Sequence, residues 1–161
     1  MSGFGDSLTT VGTTQLHPLG TIVVEPATQG GTRANQGEKH WIYVGNNSAG
    51  ILTAGLACVR TPGGAGVYRV SPAPVAAATG AFAIVGVAQI TIPVGSYGFV
   101  LRRGVGTVRS AVGIAAGLAV IPDPTVLGNA IAGAVADNNI GTCLAVALAG
   151  ALATCHFDCQ G

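Results

Sequence analysis

The stretch that decides the fold is Gly86-Val-Ala-Gln-Ile-Thr-Ile-Pro-Val-Gly-Ser-Tyr-Gly-Phe-Val-Leu101. Apolar and polar residues alternate up to Pro93, which has no backbone N–H and therefore ends a strand. Gly95 and Gly98 allow the chain to bend or to approach other backbone closely, and aromatic residues then begin a second strand. This order of strand, turn and strand predicts a hairpin of a β-barrel or β-sandwich.

The sequence from Leu19 onward consists of short β-rich runs, each bounded by Gly, Pro or Asn. Helix signals are scarce, and the best candidate, 123–135, contains Pro124 and two glycines that favour turns and a short hairpin. We therefore expect an all-β fold, a compact β-barrel or β-sandwich of short antiparallel strands with an extended N-terminal arm. The expected strands are Gly20–Glu25, His40–Val44, Ile51–Arg60, Val67–Val70, Phe82–Ile92, Gly98–Arg102, Gly104–Val112, Leu118–Ile121 and Ile140–Phe157, the last with a break near Gly150.

The expected organisation is an arm followed by one β-rich domain, 1–18 and 19–161. The Pro/Ala-rich segment 71–80 is typical of a loop and could join two sub-layers, 19–70 and 81–161. We expect the closed barrel in the C-terminal half, about Ala81 to Phe157. No convincing internal repeat is visible. The similar runs that begin Gly86-Val-Ala-Gln and Gly141-Thr-Cys-Leu are explained equally well by related strands and by a duplication.

The arm is rich in Ser, Thr and Gly and carries isolated apolar residues without a regular period: Phe4, Leu8, Val11 and Leu16. So few apolar side chains cannot offset the entropy of ordering the segment by itself. We expect these four residues to bind a partner subunit. A frayed terminus is the alternative.

The composition is unusual for a free monomer. Charged residues make up 8% of the 161 residues, whereas soluble domains average about 25%. Either this surface is covered by neighbouring copies or partners, or it is a small, weakly polar exterior. The net charge of +1 gives no basic field for nucleic acid. Arg102 and Arg103 could instead meet acidic groups of a protein partner, or be solvated at a hairpin tip.

The C-terminal Cys155-His-Phe-Asp-Cys159 is the one cluster with site-like chemistry. Its spacing is poor for a metal, because adjacent strand residues point to opposite faces. A disulfide is the second interpretation and packed or idle thiols the third. Cys58 and Cys143 lie in apolar runs, where we expect them to pack as small hydrophobic side chains.

No motif for catalysis, phosphate binding or paired carboxylates is present, so the sequence predicts no catalytic, cofactor-binding or metal-binding residues and no enzyme. The N-terminus has no signal-peptide pattern, which favours assembly in the cytoplasm. Two apolar stretches, 111–121 and 140–155, are shorter than the ~18–20 residues of a membrane helix, and we expect them to be buried strands without a membrane partner.

Three segments resemble the decoration, or cement, proteins of tailed-bacteriophage capsids: Gln15-Leu-His-Pro-Leu-Gly-Thr-Ile-Val23, Ile90-Thr-Ile-Pro-Val-Gly-Ser-Tyr-Gly-Phe-Val100 and Asn138-Asn-Ile-Gly-Thr-Cys-Leu144. Ala116-Gly-Leu-Ala-Val120 is also similar to a strand of these small barrels. The resemblance implies a virion protein on the capsid exterior that bridges major capsid protein subunits, with no cofactor. It also implies self-association, and we expect a trimer rather than a dimer. The alternatives are a tail, head-fibre or adhesin component, and a small thiol- or metal-dependent enzyme.

Overall fold

The computed structural model describes residues 7–27, 37–61, 68–73, 83–133 and 139–159. These residues form ten strands and no helix: β1 (Ile22–Glu25), β2 (Lys39–Asn46), β3 (Ala57–Arg60), β4 (Arg69–Pro72), β5 (Ile84–Ala88), β6 (Tyr97–Arg109), β7 (Ala119–Pro122), β8 (Ala130–Gly133), β9 (Gly141–Cys143) and β10 (Leu152–Asp158). The predicted all-β class is confirmed. Within the described ranges, no helix is long and apolar enough to cross a membrane.

A first barrel is formed by five strands in the order β2-β4-β3-β5-β6, and it closes because β6 also pairs with β2. The β2–β6 register runs from Gly45 opposite Tyr97 to His40 opposite Arg103. All pairings in this ring are antiparallel except β2–β4, which is parallel and departs from the predicted antiparallel arrangement. Closure leaves no free edge among the five ring strands, and β1, which pairs with β2 outside the ring, is the edge strand of this half.

A second barrel begins where the first one ends, on the same strand. The C-terminal half of β6 pairs with β10, from Arg103 opposite Asp158 to Arg109 opposite Leu152. Strands β9, β7 and β8 follow in order. A parallel bridge between Ser110 and Ala130 brings β8 back to the end of β6 and completes the ring.

The two barrels have the same topology. Strands β2, β3, β4, β5 and the first half of β6 correspond to the second half of β6, β7, β8, β9 and β10. The registers agree in detail, since Ala88 faces Val100 in the first barrel as Cys143 faces Cys155 in the second. The structure therefore contains an internal structural repeat, which the sequence analysis missed. Its clearest sequence trace is Ala54-Gly-Leu-Ala57, repeated as Ala116-Gly-Leu-Ala119.

Two sequence expectations about strand division are wrong. Gly98–Arg102 and Gly104–Val112 were expected as separate strands, but β6 is continuous over 13 residues. Gly104 has φ 107° and bends the strand without ending it. The closed barrel was expected over 81–157, but the boundary between the two barrels lies within β6. The predicted loop 71–80 does not separate two layers, because β4 before it and β5 after it belong to the same ring. Most of that loop lies outside the described residues.

Tight turns of the same type precede five of the strands. In each four-residue turn, a glycine with positive φ occupies the third position, and the carbonyl oxygen of the first residue accepts a hydrogen bond from the N–H of the fourth. In the turn at Gly95, the Ser96 nitrogen lies 3.1 Å from the Pro93 carbonyl oxygen. The five glycines are Gly20, Gly55, Gly95, Gly117 and Gly150, with φ between 71° and 89°. The prediction that Gly95 and Gly98 serve positive φ or close approach is confirmed, because Gly98 packs against Ile92.

The first barrel is filled by a dry interior cluster that draws on all five of its strands: Ile42, Val44, Leu52, Cys58, Val70, Val85, Ala88, Ile92 and Val100. A second cluster starts on the outer side of the first barrel, at Tyr43 and Phe99, and continues through Val108, Ile140 and Phe157 of the second. The interior of the first barrel is therefore a cluster of its own, whereas the core of the second barrel is continuous with apolar side chains on the outer side of the first.

Equivalent glycines allow the closing strands to approach. A Cβ atom on Gly86 would lie 2.7 Å from the carbonyl oxygen of Leu101, and one on Gly141 would meet the carbonyl of His156 in the same way. We expect Gly86→Ala to lower the free energy of unfolding by about 1–3 kcal/mol, because β5 and β6 must separate to admit the methyl group. Chemical denaturation measures this. Gly50→Ala is the control, since no atom lies within 4 Å of its Cβ position, and equal stability of the two variants would contradict the packing described.

A buried carboxylate holds the turn between β7 and β8. Asp123 accepts hydrogen bonds through Oδ1 from the N–H and hydroxyl of Thr125, at 2.6 and 2.7 Å, and from the N–H of Val126 at 3.2 Å. Burial opposes ionisation of the carboxyl, but these hydrogen bonds outweigh it, so the pKa of Asp123 is lowered from its usual value of 3.8.

We expect Asp123→Ala to destabilise the protein by about 1–3 kcal/mol at neutral pH, because the two N–H groups lose their acceptor. The group's contribution is present above its unfolded pKa and is lost as the pH falls through the lower folded value. Denaturation of both proteins between pH 7 and 3 should therefore show the difference shrinking in acid. A difference that grows in acid would contradict the assignment.

Candidate functional site

An open pocket lies at the junction of the two barrels, where the middle of β6 passes the start of β2 and the end of β10. Its volume is about 410 Å³, and it is lined by Ile22, His40, Arg102, Arg103, Asp158 and Cys159. Register explains the convergence, because Arg103 is opposite His40 on one side and Asp158 on the other. The structure thus places the two predicted partner-binding arginines together. Ile22, His40 and Asp158 were missed, because no local pattern links residues so far apart in sequence.

Two guanidinium groups line the pocket, and they differ in their exposure to solvent. Arg102 is half-buried and donates from Nε to the carbonyl oxygen of Cys159 at 3.2 Å, which fixes its direction. Arg103 is exposed. Nearby, His40 Nε2 lies 2.8 Å from Glu38 Oε1. The hydrogen bond to His40 and the charge of that ring lower the pKa of Glu38, with a smaller contribution from Arg103. The exposed guanidinium is therefore available to a carboxylate or another anion from outside.

The chemistry of the pocket favours binding over catalysis. The only thiol in its lining, Cys159, is buried, and burial raises its pKa to about 12. A neutral buried thiol is a poor nucleophile and a poor metal ligand. The neighbouring β10 residues alternate, with Cys155 and Phe157 inside and His156 and Asp158 outside. Within the described ranges, no three His, Cys, Asp or Glu side chains converge as a metal site would require.

All four cysteines are free and buried. Cys58 and Cys143 point their sulfurs at backbone carbonyl oxygens, those of Leu56 and Ala145, at 3.4 and 3.0 Å. Burial raises the pKa of Cys58 to about 12. It does the same for Cys155, where the adjacent Cys143 adds to the effect. These thiols act as small core side chains, as the sequence analysis expected for Cys58 and Cys143.

The N-terminal segment packs against the protein's own first barrel. Leu8 and Val11 contact the two buried clusters, and Gly12 bridges to Tyr97. Leu16 is exposed, although its N–H donates to the Tyr43 hydroxyl at 3.1 Å. Of the four predicted arm contacts, Leu16 is thus placed at the surface, Leu8 and Val11 are partly covered, and Phe4 lies outside the described residues.

A second surface feature was not predicted. Five apolar side chains project from one side of the second barrel, and we call them the apolar face: Val112, Leu118, Leu144, Val146 and Leu148. The bridge between Ile114 and Ala147, together with the hydrogen bond from Cys143 N–H to the Leu118 carbonyl oxygen, places their segments side by side. The stretches 111–121 and 140–155 were expected to be buried strands, and this is wrong for 111–118 in the first and for the middle of the second. The sequence signal of the apolar face was the alternation of large and small apolar residues in Leu144-Ala-Val-Ala-Leu148.

Comparison with known proteins gives a likeness of fold. No protein-family model matches the sequence, and no curated protein matches it. Among solved structures, the chain is similar to the N base of the head fiber gp8.5 of bacteriophage phi29. The similarity has a TM-score of 0.55 at 16% sequence identity and covers 73% of this chain and 94% of that one. The arrangement of strands is thus shared with a protein of a phage head.

We expect all four thiols to resist alkylation in the folded protein, because they are buried and the pKa values of three of them are about 12. Treatment with iodoacetamide at about pH 8, followed by mass spectrometry, should find the native protein unmodified and the protein unfolded in guanidinium fully modified. Rapid labelling of Cys155 or Cys159 in the native protein would show a reactive site that the structure does not contain.

Proposed function

We propose that the chain is a structural protein of a tailed-bacteriophage particle that binds the outer surface of the capsid and stabilises the shell by bridging major capsid protein subunits. The observation that supports it most is the likeness to the phi29 head fiber base, which extends over 94% of that structure. The low charge, the closed barrels and the buried thiols agree with a structural rather than a catalytic role. Its place would be the virion exterior, after assembly in the host cytoplasm.

The pocket at the barrel junction is the proposed contact with the shell. Arg103 is exposed there and can donate two parallel hydrogen bonds to a carboxylate of a capsid subunit. Exposed apolar side chains, Ile22 and Val24 of β1, lie beside the pocket. The exposed Leu16 of the N-terminal segment is included in the proposed contact. Arginine is enriched in specific protein interfaces, whose centres are otherwise apolar.

A head-fibre base is the second candidate function. The likeness to the phi29 protein favours it directly, since that protein is itself the base of a head fiber. The two functions differ in stoichiometry. A shell-bridging protein should approach the major capsid protein in copy number, whereas a fibre base should be much rarer. Quantitative mass spectrometry of purified particles distinguishes them.

Binding to phage heads that lack this chain tests the proposal. We expect the purified protein to co-sediment with such heads, and Arg103→Glu to weaken the affinity by about tenfold or more, because it repels the carboxylate that the native residue would bind. Arg109→Glu is the matched control, an exposed arginine on the same strand outside the pocket, and it should bind as the wild type does.

Two results would count against the proposal. Absence of the protein from purified particles, together with no binding to heads, would exclude a virion role. Equal loss of affinity in the Arg103 and Arg109 variants would show a general charge effect and remove the pocket from the contact.

A further inference from the structure

We propose that the apolar face of the second barrel is the surface through which copies of this chain associate with one another. The proposal goes beyond capsid binding and does not depend on it. Of the thirteen exposed large hydrophobic side chains in the described residues, eight lie in the second barrel. The two most exposed are Val146 and Leu148, at 74% and 76%. An apolar surface of this kind favours association in water.

The internal repeat provides a control within the same molecule. The positions of the first barrel that correspond to Leu144, Val146 and Leu148 hold Gln89, Thr91 and Pro93. The fold therefore accommodates polar residues at the first two of these positions. Exposed leucine and valine in the second barrel are not required to close it, and their presence points to a contact outside the barrel.

In the first barrel, the side that corresponds to the apolar face contacts the second barrel. Its Gln89 bonds to the backbone of Thr107 in β6, with Nε2 2.9 Å from the carbonyl oxygen and Oε1 2.9 Å from the nitrogen. Leu152 of the second barrel packs over Gly55. The equivalent Gly117 has no atom within 4 Å of its Cβ position. This side of the first barrel is thus covered by the second barrel, whereas the equivalent side of the second barrel is uncovered in the described residues.

Charge identifies the occupant as the same face of another copy. The sequence contains no Lys or Arg after Arg109, and its only charged residues there are Asp123, Asp137 and Asp158. The face itself carries no charge, so it can meet its own copy without burying an unpaired ion. Within the chain the second barrel meets this side of the first through Leu152. The equivalent residue of the first barrel is Tyr97, which already pairs with the N-terminal segment through the Gly12 bridge, so the same contact is not free to repeat head to tail between copies. Contact around a symmetry axis, face to face, is the arrangement that remains.

The test is the mass of the protein in solution, measured by sedimentation velocity without any phage component. The double variant Leu144→Gln/Val146→Thr introduces the residues of the first barrel at their equivalent positions. We expect the wild type to form a closed oligomer, and this variant to associate at least about tenfold more weakly with unchanged thermal stability. Ile51→Thr/Val94→Thr is the matched control, because both residues are similarly exposed outside the face, and it should associate as the wild type does.

Cross-linking gives a second measurement. In Leu148→Cys the new thiol is exposed while the native ones are buried, so a short bis-maleimide should join copies through residue 148. Val94→Cys should give no such product. A wild type that stays monomeric at about 100 µM, or a double variant that associates unchanged, overturns the proposal. If the wild type is monomeric and the double variant loses head binding, the face contacts the shell. Self-association is then wrong while the capsid function stands.

Discussion

The hydrogen bonding of one strand determines the architecture. Tyr97–Arg109 pairs with β2 and β5 along its first half and with β10 along its second. Each half closes a ring, so the backbone groups along the ring strands are paired within the chain, and β1 outside the first ring is left as an edge strand. Gly104 makes this possible, because its positive φ lets the strand turn from one barrel into the next while the pairing continues.

Closure also explains the composition. A five-stranded ring encloses little space, and its interior is filled by small and medium apolar side chains such as Val44, Cys58 and Ala88. Where the rings touch, their outer sides are apolar as well. Such a molecule needs few charges for folding. The charges that it has can be concentrated at a boundary, as they are around Arg103, while the five side chains of the apolar face carry none.

Local features were predictable from the sequence and non-local ones were not. The turn at Gly95 and the all-β class follow from Pro and Gly placement, which acts within a few residues. The continuity of β6 was missed because a glycine such as Gly104 is typical of strand ends. Arg102 and Arg103 were identified from their rarity, but His40 and Asp158 join them only through strand register. Leu144 and Val146 were expected inside because apolarity alone does not tell which side of a sheet has a neighbour.

The shared strand has a consequence for the order in which the protein is made. Synthesis completes the first ring once Arg103, the last partner of β2, has been added. The second ring must wait for β10, which ends at Asp158. In the interval, the new half of β6 extends from a finished barrel with one edge unpaired, a template on which a strand of another chain could pair. Correct folding therefore requires β10 to pair with this edge before a strand of another chain does.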